Sequence, residues 1–173
     1  MYIFASPGLA SCRRRPLSSN VRPHTNMPPL RFRPATQDDL ALTYAITEDA
    51  MRGYVEETWG TWDEEEQLQK HRANFTPETY KIILVEDEEA GLVALEEFPS
   101  HVWLVKLYLL SRYRGLGIGS HVLQDVQRDA TAHGKPVTLR VLRVNKRAQA
   151  LYAKYGFKVT EESAERLHMA SGA

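Results

Sequence analysis

The chain has a single cysteine, Cys12, among its 173 residues. A lone thiol excludes an intrachain disulfide and a zinc site built from several thiolates. It fits a reducing compartment, and the cytoplasm is the expected location. No apolar run approaches the roughly 18 residues that a membrane-spanning helix needs, so no membrane association is expected. Net charge is also missing, because 22 Lys and Arg balance 22 Asp and Glu. That balance hides a split. Residues 1–26 hold Arg13, Arg14, Arg15 and Arg22 and no acid, and with those four set aside 18 basic residues face 22 acidic ones, a net of −4. A mildly acidic body argues against a nucleic-acid surface. The six histidines, at 24, 71, 101, 121, 133 and 168, show no ligand-like spacing on one helix face, and no metal site is expected.

What is present begins with a segment of unusual composition. Residues 1–29 are rich in Ser, Arg and Pro and end in Met27-Pro28-Pro29. An Arg- and Ser-rich stretch without acids has the composition of an organelle transit peptide. Regular patterning starts just after Met27, which favours an upstream start codon instead. Either way these residues read as a tail, and residues 30–169 read as one domain, large enough to bury a core without staples.

Within that domain Leu30–Arg33 alternates as a short strand. Thr36 offers a helix cap, with Asp38 and Asp39 in the first turn, and a helix is predicted from about Gln37 to Met51, broken at Gly53. Asp63 caps a second, polar helix through about Asn74. Three strand-like runs follow, Tyr80–Glu86, Gly91–Glu97 and Val102–Leu110, joined by short turns as an antiparallel meander. Ile118, Val122, Val126 and Ala130 recur every four residues, the buried stripe of an amphipathic helix. Val137–Arg143 reads as a strand, and Asn145 caps a last helix that ends at Gly156. Two short strands, Phe157–Thr160 and Arg166–Met169, close the chain. The order β-α-α-β-β-β-α-β-α-β(-β) implies an α/β (α+β) fold: a mixed, mostly antiparallel sheet flanked by helices.

Three glycines alternate at Gly115, Gly117 and Gly119, between a strand and a helix. Glycine tolerates positive φ and close backbone approach, and a helix N-terminus attracts anions. Arg112 and Arg114 stand in sequence beside this turn and are candidates to neutralise phosphate. A tight strand-to-helix turn needs one glycine; three in five residues point to a phosphate cradle. The dinucleotide fingerprint fails, because the sixth position is Ser120 or Val122 where glycine is required, and no phosphate-loop Gly-Lys-Ser/Thr sequence exists.

The segment Arg114-Gly115-Leu116-Gly117-Ile118-Gly119 resembles the R/Q-x-x-G-x-G/A signature of the GCN5-related N-acetyltransferases, with Arg114, Gly117 and Gly119 at the fixed positions. Leu107-Tyr108-Leu109 looks like that family's fourth strand, and Asn145 through Gly156-Phe157 resembles its last conserved block. The resemblance spans roughly Leu30 to Met169. It implies acetyl-CoA as donor, with the pyrophosphate on the backbone amides of residues 114–120, Ser120 included. It also implies a splayed gap between the fourth and fifth strands, where the pantetheine arm pairs with the strand edge at Leu109 and Asn145 makes a polar contact.

Transfer to an amine needs that amine neutral, and an alkylamine titrates near ~10.4. A positioned base contributes roughly 10²–10⁴-fold. No carboxylate lies within Val102–Leu110, and Glu96 is the favoured base among Glu96 and Glu97. The resemblance assigns Tyr152 to the departing thiolate, and hydrogen bonding to that thiolate is the expected role. With no cysteine in the domain the natural thiol nucleophile is missing, so direct transfer in a ternary complex is expected. The acceptor is sought in the acidic, Trp-containing segment 56–66, with Glu56, Glu57, Trp59 and Trp62 as candidates to hold a cationic amine. A non-catalytic acyl-CoA sensor is the alternative from another class; it would need neither a base nor Tyr152. The sequence leaves a homodimer open.

Overall fold

The computed structural model describes residues 29–172. The segment read as a tail, with Cys12, lies outside the described residues except for Pro29. Seven strands form one sheet in the order β1-β2-β3-β4-β5-β7-β6. They are β1 (Leu30–Pro34), β2 (Tyr80–Val85), β3 (Glu88–Glu97), β4 (Val102–Leu109), β5 (Val137–Leu142), β6 (Lys158–Glu162) and β7 (Arg166–Ala170). Every neighbouring pair is antiparallel except β4 and β5. The helices are α1 (Leu40–Trp59), α2 (Glu64–Asn74), α3 (Ile118–Thr131) and α4 (Lys146–Lys154). The mixed, mostly antiparallel sheet expected from the sequence is the architecture found. Among the described residues no helix is long and apolar enough to cross a membrane.

The two faces of the sheet are covered differently. On one, Ile118, Val122, Leu123 and Val126 of α3 and Tyr152 of α4 pack on Leu104, Leu139 and Val141. The predicted stripe of α3 is therefore the core stripe. On the other face Ile46 of α1 packs on Tyr80, Ile82, Leu92 and Ala94. Asp39, before α1, accepts two bonds of 2.8 Å from Arg33 and is capped by the Thr36 backbone. Those contacts hold its carboxyl down at about 2, below the usual carboxylate range.

Two boundaries differ from the sequence expectation. Helix α1 does not stop at Met51 but runs through Gly53 to Trp59 and ends at Gly60, which has φ +89°. A mid-helix glycine costs about 1 kcal/mol against alanine, and here Arg52 bridges Glu48 and Glu56 across it, while Val55 is buried beyond it. Strand β3 starts at Glu88 rather than at Gly91, because the reversal is made by Glu86 and Asp87, both at positive φ.

Two local irregularities open the sheet. Ala94 of β3 pairs with Lys106 while Leu95 pairs with Leu104, leaving Val105 as the extra residue of a bulge. A bulge reverses the face on which each following side chain points. Leu104 lies in the α3–α4 core, and Lys106 points to the α1 face, over the rings of Tyr80 and Tyr108 at 5.1 and 6.0 Å. Strand β5 then leaves β4: their parallel pairing covers only Val102–Leu104 against Val137–Leu139. The edge of β4 from Val105 to Leu109 has no strand partner on that side.

Candidate active site

The splayed strands bound a cleft of about 570 Å³ that reaches from the α3–α4 face to the α1 face. Its lining includes Leu109, Arg114, Gly115, Gly117, Gly119, Ser120, Asn145, Tyr152 and Trp59 among the residues singled out from sequence. Leu116, Ile118, Glu96, Glu56, Glu57 and Trp62 are not in that lining.

The glycine turn supplies the narrow end. Gly115 and Gly117 take φ of +82° and +83°, the left-handed region that costs other residues about 1–2 kcal/mol. Gly117 is the cap of α3 and no side chain caps the helix, so the first amides of α3 face outward without an internal partner. Leu116 projects into solvent at 57% exposure and Ile118 is fully buried; both can contribute to an anion site only through the backbone.

The arginines beside the turn act differently from the expectation that they neutralise phosphate. The Arg114 guanidinium donates to the Leu109 carbonyl at 2.9 Å and to the Asp49 backbone and carboxylate at 2.8 and 2.6 Å. Asp49 also accepts from the Ser111 amide at 2.8 Å. Arg114 is thus a strut tying the turn to α1, and it occupies the Leu109 carbonyl. Arg112 stacks on Tyr113 with its guanidinium carbon 4.9 Å from the ring centre. Arg147 of α4 also approaches the turn, its Nη2 3.8 Å from where a Cβ on Gly115 would stand.

Asn145 accepts from the Ala148 amide at 3.0 Å, which makes it the cap of α4. Tyr152, two turns further along α4, is 9% exposed and packs on Phe157. Burial pushes its phenol up to about 12.

The wide end of the cleft is formed on the α1 face. Lys106 is 6% exposed, and burial pushes its ammonium down to about 8. Arg140 of β5 stacks over Trp103 at 5.0 Å, and Arg166 of β7 over Trp59 at 5.7 Å. Tyr108 stands among them, its phenol pushed up by burial and by the neighbouring Tyr80 and Tyr152. Among the described residues lining the cleft, the charged ones are Lys106, Arg114, Arg140, Arg147, Lys154 and Arg166, and none is acidic.

The acidic candidates sit elsewhere. Glu56 is exposed and paired with Arg52, and Glu57 is exposed. Trp62 is 7% exposed and belongs to a small core with Tyr44 and Val55. Glu96 is half-buried opposite Trp103; its charge is felt by Tyr80, over which Lys106 lies. The residues that sequence reasoning passed over are Lys106, Arg140, Arg147, Arg166 and Asp49. One signal was available: a lone lysine inside the apolar run Val102-Trp103-Leu104-Val105-Lys106-Leu107-Tyr108-Leu109 is an expensive thing to bury.

A mixed sheet split between two parallel strands, with a glycine turn leading from the split into a helix, is the framework of an acyl-group transferase of the class that the sequence resembles. The profile of the Acetyltransferase (GNAT) family matches residues 43–157, and the chain belongs to that family. No curated protein sequence matches it. Among solved structures, the PaiA N-acetyltransferase of Thermoplasma acidophilum in complex with coenzyme A aligns with a TM-score of 0.67 at 19% identity, over 83% of this chain and 99% of that one. Arabidopsis thaliana Naa50 in complex with the bisubstrate analogue CoA-Ac-MVNAL aligns with a TM-score of 0.59 at 18% identity, over 83% and 99%. The ribosomal-protein-S18-alanine N-acetyltransferase of Escherichia coli aligns with a TM-score of 0.63 at 17% identity, over 83% and 93%. At such identities the likeness shows the fold.

Proposed function

We propose that this acetyltransferase moves an acetyl group from acetyl-CoA to an amine by direct transfer in a ternary complex. The observation that carries this reading is the junction of the unpaired β4 edge with the glycine turn: a ready edge for amide groups continues into uncapped helix amides suited to phosphate. The family's solved relatives named above include complexes with coenzyme A and with a coenzyme A conjugate, which supports acetyl-CoA as the donor.

The chain's own groups fit that donor. The amides of Gly115 to Ser120, with Arg147 close by, would hold the pyrophosphate. The edge at Leu109 would hold the arm, with Arg114 fixing its carbonyl, and Asn145 would add a contact through the amide nitrogen its cap leaves unused. When bound, the thioester supplies an electrophilic acetyl carbon and a thiolate leaving group.

Two side chains then manage protons. Full donation from Tyr152 at about 12 to a thiolate of ordinary pKa near ~8.5 is uphill by about 5 kcal/mol. Tyr152 therefore hydrogen-bonds the thiolate instead of protonating it. The base expected from sequence was Glu96, which does not line the cleft. Lys106 does, and at about 8 a useful fraction is neutral near physiological pH and able to take the amine's proton. Glu96 raises the neighbouring Tyr80 phenol, whereas the lowering of Lys106 comes from burial.

Mixing the protein with acetyl-CoA and an amine panel, and following thiol release, tests the proposal. Turnover with intersecting double-reciprocal lines is expected. Ping-pong kinetics would overturn direct transfer, and tight acetyl-CoA binding without turnover on any amine would make the protein a sensor.

A further inference from the structure

The wide end of the cleft is cationic, which runs opposite to what a cationic amine or polyamine would select. Two of its charges are arginines arriving from adjacent strands. Arg140 and Arg166 lie on β5 and β7, whose register pairs Arg140 with His168 and Leu142 with Arg166. Two residues apart on paired antiparallel strands, they share the α1 face of the sheet. Each is half-buried and lies over an indole, its guanidinium carbon 5.0 Å from the Trp103 ring centre for Arg140 and 5.7 Å from that of Trp59 for Arg166. A ring beneath a guanidinium restricts where it can swing, and both arginines line the cleft. The pair is close enough to repel: burial, and then the Arg140 charge, hold Arg166 below its ordinary value, against the smaller opposing pull of Glu165 and Tyr108. An anion bound between two such forks relieves that repulsion and is held by charge-assisted bonds.

We infer that the amine accepted here is a small molecule carrying an anionic group, a carboxylate or a phosphate, which Arg140 and Arg166 grip while Lys106 faces the amine. The inference rests on the acetyl-transfer reading above. It assigns the acceptor's recognition to β5, β7 and the end of α1, where Trp59 alone survives from the acidic segment first suspected. Lys154 and Arg147, on α4, are left to the donor side.

The experiment uses the full chain and four amines: O-phosphoethanolamine, β-alanine, ethanolamine and putrescine. At saturating acetyl-CoA, kcat/KM for at least one of the two anionic amines is expected to exceed that for ethanolamine by about 100-fold, the size of one or two charge-assisted bonds. The phosphate and carboxylate arms separate the two anions. Arg140→Gln and Arg166→Gln should each shrink that ratio by about 10-fold or more through KM. Arg140→Lys, which keeps charge but loses the fork, should restore part of it and guards against a folding artefact. Putrescine or ethanolamine acetylated as well as the anionic amines would overturn the inference, as would an unchanged ratio in both Gln variants. Calorimetric titration of O-phosphoethanolamine and β-alanine into the CoA-treated protein separates this failure from failure of the acetyl-transfer reading. Binding that is lost in Arg140→Gln, without turnover, supports the anion site and sinks the enzyme. Absence of binding by both sinks the anion site.

Discussion

The two ends of the cleft are built in opposite ways. The narrow end is a contiguous stretch, Arg114 to Ser120, whose usefulness lies in backbone amides and in two glycines at positive φ. The wide end gathers Trp59, Lys106, Arg140 and Arg166 from α1, β4, β5 and β7, residues as much as 107 positions apart in the chain. A site for a constant group such as a pyrophosphate can be made from local backbone geometry. A site for one particular acceptor is made from side chains that only the sheet's register brings together.

The predictions divide along that line. The largest effect is expected for Lys106→Met, which preserves much of the stem and removes the base. It should lower kcat by about 100-fold or more and abolish the ascending, acidic-side limb of the pH profile. With wild type, kcat/KM should rise with pH and level off above about 8, the value to which burial lowers Lys106, because the neutral amine is the active form. The same lowering has a stability consequence with a definite sign. Between about 8 and the ordinary lysine value the unfolded chain binds more protons, so wild-type stability should gain with rising pH there, and Lys106→Met should lose that gain. A pH-independent rate in wild type would remove Lys106 as the base.

Tyr152→Phe comes next. Loss of one hydrogen bond to the thiolate should lower kcat by about 10-fold to 100-fold with little change in the acceptor's KM. Stopped-flow thiol detection reads it, and an unchanged rate would leave Tyr152 as packing against Phe157. Gly117→Ala strikes the narrow end alone. The left-handed φ costs an alanine about 1–2 kcal/mol, and the KM for acetyl-CoA should rise about 10-fold while preference among acceptors stays put. A shifted acceptor preference would blur the division between the two ends. The smallest effect belongs to Glu56→Gln and Glu57→Gln. Both are exposed and outside the cleft, so stability should move by less than about 0.5 kcal/mol and no acceptor KM should change. A clear change in an acceptor KM would reinstate the acidic segment.

Much of the framework was legible in the sequence. The repeat of Ile118, Val122, Val126 and Ala130 marked the buried stripe of α3 because a helix face recurs at a fixed spacing. Asn145 read as a cap, and it is one, because a cap is settled by residues within one turn. The end of α1 was misplaced because glycine's local penalty was weighed without Arg52's two ion pairs and Val55's burial. Trp62 looked like a surface aromatic amid acids; that small core of Tyr44, Val55 and Trp62 draws on two separate segments, so no local pattern marked it. Arg114 matched the signature, yet its partner Asp49 lies 65 positions away, so its role as a strut was invisible.

The sequence by itself determined the order of elements, the glycine turn and the family, since each depends on neighbours a few residues apart and on the spacing of apolar groups. Only the tertiary structure decided what faces the cleft. The extra residue Val105 turns Lys106 to the α1 face, and the parting of β5 from β4 after Leu104 opens the gap. Neither the register shift nor the strand separation is written in local propensity, because both follow from how distant strands share hydrogen bonds and side-chain volume.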